Sequence, residues 1–328
     1  RTRLNMGEYV GIKGRKIKSL ASDPTVVVGD IWYNTAGYKL KYGGESGTWS
    51  TAPTMQQGRS NLIGSPQGTT TAMLVYGGPG PLNYQYTRYT EQFNGTAWTQ
   101  DNLLNVGRSS MGACGTTGAA VANSGHNLTP GSGLKITELW NGTAWTTGND
   151  SNDVHKNCGG GGTQTAGIVA GGPGATNEFF NGTTWSAEND VASPVSAAMM
   201  NGSQAEAYIA GGDPYSTATQ AFDGTSWAAS TAMSTGRNTL FNLGGDPNSS
   251  VVVAGGMDGP GSVTNETEMW NGTSWSTQGN LSLGRYDGGY GGTGTSGIIA
   301  GGSSTGPGYE AETETWAMGA AVKTVTTS

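Results

Sequence analysis

Met269-Trp270-Asn271-Gly272-Thr273-Ser274-Trp275 is an aromatic residue, an Asn-Gly step and a tryptophan five positions after the aromatic. Asn-Gly between apolar runs is the strongest short hairpin signal, and a type I′ turn over that dipeptide predicts strand, turn, strand. The pattern recurs at Phe93–Trp98, Trp140–Trp145, Phe180–Trp185 and Phe222–Trp227, with looser relatives at Tyr42–Trp49 and a last aromatic at Trp316. Tryptophans 49, 98, 145, 185, 227 and 275 are spaced by 40 to 49 residues, the period of four-stranded propeller blades.

Each unit continues alike. A polar strand follows the tryptophan, then Gly-Arg in four units (Arg59, Arg108, Arg237, Arg285), then a strand of small residues. An apolar run closed by Gly-Gly comes next, as in Leu74–Gly78, Ile168–Gly172, Ile209–Gly212, Val252–Gly256 and Ile298–Gly302; the second unit has Ser124-Gly125 instead. A connection of variable length leads back to the aromatic strand.

Composition sets the bounds. Fifty-eight glycines and 12% charged residues would suit a chain without a core, but ten Trp and thirteen Tyr at repeating positions can each bury roughly 150–250 Å². Two cysteines make no disulfide framework, and no window of 18 apolar residues predicts a membrane span. Residues 1–43 carry eight Lys or Arg against three acids, a net of +5, while the remainder carries −12. An acidic body argues against nucleic-acid binding.

These residues resemble the kelch repeat over about 45–317: an apolar strand ending in Gly-Gly, an aromatic, and a Trp shortly after. The resemblance implies an all-β, six-bladed propeller in which strands a to d run from the axis outward. Its sixth unit supplies a, b and c and lacks d, so the strand at Trp49 is expected to close the ring. The expected division is a basic attachment arm at 1–30, a β-hairpin at 31–44 extending the closing blade, the propeller at 45–317 and a tail at 318–328. Short a-to-b and c-to-d turns and variable b-to-c connections then lie at opposite ends of the blades, and recognition is expected where the connections differ.

Chemistry-bearing residues are sparse. No nucleophile elbow, zinc-protease motif or phosphate loop occurs, and His126, His155, Cys114 and Cys158 are all the His and Cys in the chain. A propeller enzyme, a copper oxidase resembling galactose oxidase or a glycan hydrolase, is the alternative class, but no catalytic residue, metal or cofactor is assigned. The repeated arginines are expected to bond between blades. Glu91, Glu138, Glu178, Glu268 and Glu314, each two before the strand-c aromatic, are expected to accept backbone or Arg hydrogen bonds inside a blade. The Asn-Gly-Thr triplets are read as turn chemistry.

Candidate ligand-binding residues are the aromatic and charged groups of the variable connections and their surroundings: Tyr84, Tyr86, Arg88, Tyr89, Asp213, Tyr215, Asp258, Tyr286 and Tyr309. Tyrosine offers a flat apolar face and a hydroxyl, suited to sugar rings or protein surfaces.

A second resemblance rests on Gly29–Asn34 with its hairpin, the NGTxW units and the tail Val322–Ser328. It is to structural proteins of tailed bacteriophages, above all those of marine cyanobacteria. It implies a non-enzymatic fibre, appendage or head-decoration protein of the virion, made in the host cytoplasm. The propeller would bind a host surface glycan or protein, and residues 1–44 would contact other virion proteins through Arg1, Arg3, Lys13, Arg15, Lys16 and Lys18. A purely structural knob against other virion chains is a further reading. Neither nucleic acid nor membrane insertion is expected.

Overall fold

The Asn-Gly step turns the chain, but through a different geometry from a type I′ turn. Positive φ falls on the glycines (Gly95 92°, Gly142 94°, Gly182 92°, Gly272 88°) and not on the asparagines. The asparagine instead bends its side chain: Asn94 Oδ1 accepts from Thr96 N at 3.0 Å and Ala97 N at 2.9 Å, and Asn141, Asn181 and Asn271 repeat the pattern. Asp223 makes the same turn with its carboxylate. An Asx turn needs one left-handed residue rather than two, which explains the displacement of the expected turn.

The computed structural model describes residues 17–81, 83–86, 88–127, 133–244, 250–305 and 308–325, with backbone alone at 83–86. Every regular element among them is a strand. Two units are distinguished by their internal contacts, Gly47–Ala317 and the pair of segments Arg1–Ser46 and Met318–Ser328.

Gly47–Ala317 is a six-bladed propeller. The first five blades are antiparallel four-stranded sheets in chain order, the first being Ile63–Gly64, Met73–Tyr76, Thr90–Phe93 and Trp98–Asp101. In the sixth, Gly289–Gly292, Ser296–Ser303 and Tyr309–Thr324 come from the end of the chain, and Lys39–Ala52 supplies the outer strand. That closes the ring, so no blade edge is left between the ends of the propeller.

Glycine dominates the inner strands because backbones meet there. A Cβ on Gly160 would lie 2.1 Å from Ala113 O, and one on Gly161 2.6 Å from Gly202 O. The Gly-Gly pairs have a second reason. Both glycines are left-handed, which aims the second amide at the next blade. Gly78 N reaches Arg108 O at 3.1 Å, Gly172 N reaches Val195 O at 2.9 Å, and Gly302 N reaches Arg59 O at 2.8 Å across the closure. Ser124-Gly125 adopts the same left-handed pair, with Gly125 N on His155 O at 2.9 Å.

The outer tryptophans tie neighbouring blades. Trp145 Nε1 donates to Thr90 Oγ1, Trp185 to Thr137 and Trp49 to Thr267, each at 2.9 Å, and Trp98 donates to Thr313 at 3.0 Å. Asn177 replaces the threonine in the third blade, and Trp227 Nε1 is buried without a partner among the described residues.

The smaller unit is a sheet in the order Lys18–Leu20, Ile31–Asn34, then the first part of Lys39–Ala52 and the last part of Tyr309–Thr324. Lys18–Leu20 runs parallel to Ile31–Asn34, which pairs antiparallel with the strand after it.

Candidate functional site

The d-to-a and b-to-c connections share one end of the propeller, where the repeated arginines lie beneath the surface. Each arginine is fully buried and bonds between blades, as its recurrence suggested, through its backbone alone; its guanidinium bonds within its own blade. Arg59 Nη2 meets Glu91 Oε1 at 2.9 Å, Arg285 meets Glu314 at 2.9 Å, Arg237 meets Glu268 at 2.5 Å, and Arg108 pairs with Glu138. The arginine also caps carbonyls of the same blade, Arg59 Nη1 taking Gly77 O at 2.8 Å and Tyr89 O at 3.0 Å. The other carboxylate oxygen receives a backbone amide of the d-to-a connection, such as Gln56 N at 2.7 Å or Ser282 N at 2.9 Å. A desolvated carboxylate bonded on both oxygens within a blade explains why Glu recurs.

The two blades without Gly-Arg resolve differently. His155 takes the arginine position in the third, with Nε2 2.8 Å from Glu178 Oε2. Burial opposes the Glu178 charge, but hydrogen bonds from His155, Asn152 and Asp153 hold its carboxyl below the usual range. In the fourth, Val195 stands at the arginine position and Gln220 replaces the glutamate, accepting from Ser193 N at 3.1 Å. The cation and the carboxylate disappear together, as the cost of a lone buried charge requires.

Two residues past each arginine position lies a left-handed residue: Asn61, Ser110, Asn157, Ala197, Thr239 and Asp287. Their backbones link around the axis, Ser110 N to Asn61 O at 3.0 Å, Asn157 N to Ser110 O at 3.0 Å, and on through Asp287 N to Thr239 O at 3.1 Å. These residues form the mouth of the central channel, which sequence reading did not identify. Asn, Ser and Asp at a fixed offset from Gly-Arg carry a signal for it, since they tolerate the left-handed region; Thr and Ala obscure it.

Below the mouth is a cavity of about 30 Å³, lined by Met111, Cys158, Met199 and Tyr290 among others, with room for one or two waters. Tyr290 extends from the sixth blade to the fourth, its hydroxyl donating to Met200 O at 3.1 Å. Asp287 is half-buried at the mouth, where loss of solvent and the nearby Asp213 carboxylate push it up to about 7. Cys114 and Cys158 are buried free thiols pushed up to about 12 by burial, hence protonated and poor nucleophiles. Among the described residues no three His, Cys, Asp or Glu are grouped to hold a metal ion.

The candidate binding residues distribute unevenly. Asp213, beside the mouth, accepts from Asn238 Nδ2 at 2.5 Å. Tyr215 and Tyr309 are half-buried, their carbonyls packed over Gly236 and Gly58 of the next blade. Tyr89 and Tyr286 are half-buried too, so these four are less exposed than expected. Arg88 is exposed and donates Nε to Leu104 O, and Asp258 is exposed on the hairpin Met257–Gly259 and Ser262–Val263. A second hairpin, Pro79–Gly80 with Asn83–Tyr86, carries Tyr84 and Tyr86, whose side chains lie outside the described residues. Arg1, Arg3, Lys13, Arg15 and Lys16 lie outside them as well, and Lys18 begins the first strand of the smaller unit. The b-to-c hairpins of the first, fifth and sixth blades, neighbours around the ring, project from this end, while the third and fourth blades have short connections.

No protein-family model matches the sequence, and no curated protein does. Among solved structures 354 chains match. One, described as the structure of YjhT, aligns with a TM-score of 0.66 at 15% identity, over 80% of this chain and 95% of that one. The chain is thus a six-bladed β-propeller protein.

Proposed function

We propose that this chain is a non-enzymatic structural and adhesion protein of a tailed-bacteriophage virion, with a kelch-type propeller that binds a host surface glycan or protein. The ligand is held by the end bearing the channel mouth, between the projecting hairpins and the low third and fourth blades. One observation carries the reading: inter-blade ties recur around the ring, while the b-to-c connections of that end differ from blade to blade. Variation confined to one rim of a rigid scaffold is the arrangement of a recognition surface. The basic residues of 1–44 serve attachment to other virion proteins.

The test is a glycan array and a host-cell binding assay with the purified chain, beside a variant carrying Tyr215→Ala, Tyr286→Ala and Tyr309→Ala. The expected result is selective binding that drops at least about tenfold in the variant, by loss of aromatic contact area, with little change in melting temperature. Binding equal in both proteins, or turnover of an arrayed glycan, would refute the proposal.

A further inference from the structure

The smaller unit has one closed face and one open face. Residues 21–30 cross over the sheet between its two parallel strands and close the first. There Asp23 accepts from Trp32 Nε1 at 3.0 Å, Asn34 Nδ2 at 2.7 Å and Lys41 Nζ at 2.6 Å, and Trp32 is 1% exposed. Val27 lies over Gly43, where an added Cβ would come within 1.9 Å of its carbonyl oxygen. On the opposite face the cross-strand pairs Ile31–Tyr42 and Tyr33–Leu40 are half-buried or exposed, and the Lys323 stem lies beside the Tyr42 ring over Gly44. Val325, bonded through its amide to Leu40 O, is 44% exposed, and Tyr38 at the hairpin tip is 80% exposed. Of the seven exposed large hydrophobic residues among those described, three, Tyr38, Tyr42 and Val325, lie on this face or at its hairpin tip, although the unit is much the smaller of the two. Such a concentration marks an interaction surface.

Charge selects its occupant. Residues 1–46 and 318–328 carry nine Lys or Arg against four acids, a net of +5, whereas 47–317 carry seven against nineteen, a net of −12. Two copies of the small unit placed face to face would repel. A small unit against a propeller attracts. We propose that the open face, with Tyr33, Leu40, Tyr42 and Val325 at its centre and Lys323 beside them, docks on the acidic propeller of a second copy of this chain. The contact is heterologous, head to tail, and so generates a ring or an open array rather than a two-fold dimer. It is independent of what the channel-mouth end of the propeller binds.

Sedimentation velocity of the purified full-length chain over a wide concentration range tests this without any other protein. Association is expected at about 0.01 M salt and at least about tenfold weaker at about 1 M, where the screening length falls from about 30 to 3 Å. Tyr42→Ser with Val325→Ser should abolish it, and separately Lys323→Glu should weaken it at least about tenfold, while the melting temperature stays within a few degrees. A monomer at every concentration in low salt overturns the proposal. So does association that is unchanged by either variant in a folded protein, or that strengthens with salt, the mark of an apolar face-to-face pair.

Discussion

Asp287 is the residue at which the scaffold bears an electrostatic cost. Its left-handed backbone places it in the ring at the channel mouth, and partial loss of solvent together with Asp213 raises its carboxyl from 3.8 to about 7. An acid whose folded value lies above its unfolded one keeps its proton longer in the folded state. Stability contributed by this group is therefore largest below about pH 4 and falls as pH rises to about 7, then levels off. Asp287→Asn should flatten that slope and raise the melting temperature at pH 8 relative to the parent, by an amount that vanishes near pH 4; equal melting shifts at both values would contradict the assignment. Asp213→Asn should reproduce part of the effect, because it removes the second cause.

Within a blade the decisive unit is the buried cation with its carboxylate, and the chain contains its own comparison. Four blades keep Arg with Glu, one substitutes His with Glu, and one discards both for Val195 and Gln220. Removing one partner strands a charge in a dry site, whereas removing both leaves only the backbone bonds to be preserved. Arg108→Val alone should cost about 3–5 kcal/mol in urea unfolding, and Arg108→Val with Glu138→Gln less than about 2 kcal/mol. If the double variant is as unstable as the single one, the guanidinium's bonds to Val106 O and Ala122 O, rather than charge balance, set the requirement. This element was partly legible in the sequence. Glu at a fixed offset from each aromatic announced a bonded carboxylate, but its partner was not readable. His155 and Val195 lack the Gly-Arg signature, and their equivalence emerges only from the carbonyls that accept the left-handed glycine amides of the preceding blade.

At the scale of the whole ring, closure joins the two ends of the propeller through the strand that carries Trp49. Its indole donates to Thr267 Oγ1 at 2.9 Å and packs 5.3 Å from the Trp316 ring, so one side chain touches both the fifth and sixth blades. Trp49→Ala should lower stability by about 2–3 kcal/mol, less than a fully buried tryptophan because Trp49 is half-buried. Unfolding should remain one transition, since the same inter-blade bonds hold every other junction; a separate early transition confined to the sixth blade would mean that closure is local.

Repetition let the sequence by itself determine the class of fold, the number of blades, the strand order and the closing strand. Each motif is a local signal, turn, aromatic or glycine pair, copied at a constant period, and errors in one copy are corrected by the others. The Asn-Gly turn was located correctly but its geometry was not, because a side chain competing for turn amides is a three-dimensional choice. Only the tertiary structure decided that the guanidinium groups act inside blades, that His155 replaces one of them, and that left-handed residues ring a channel mouth above a cavity of about 30 Å³. Those features depend on contacts between residues brought together by packing around an axis, and no spacing along the chain encodes how far a blade turns before it meets the next.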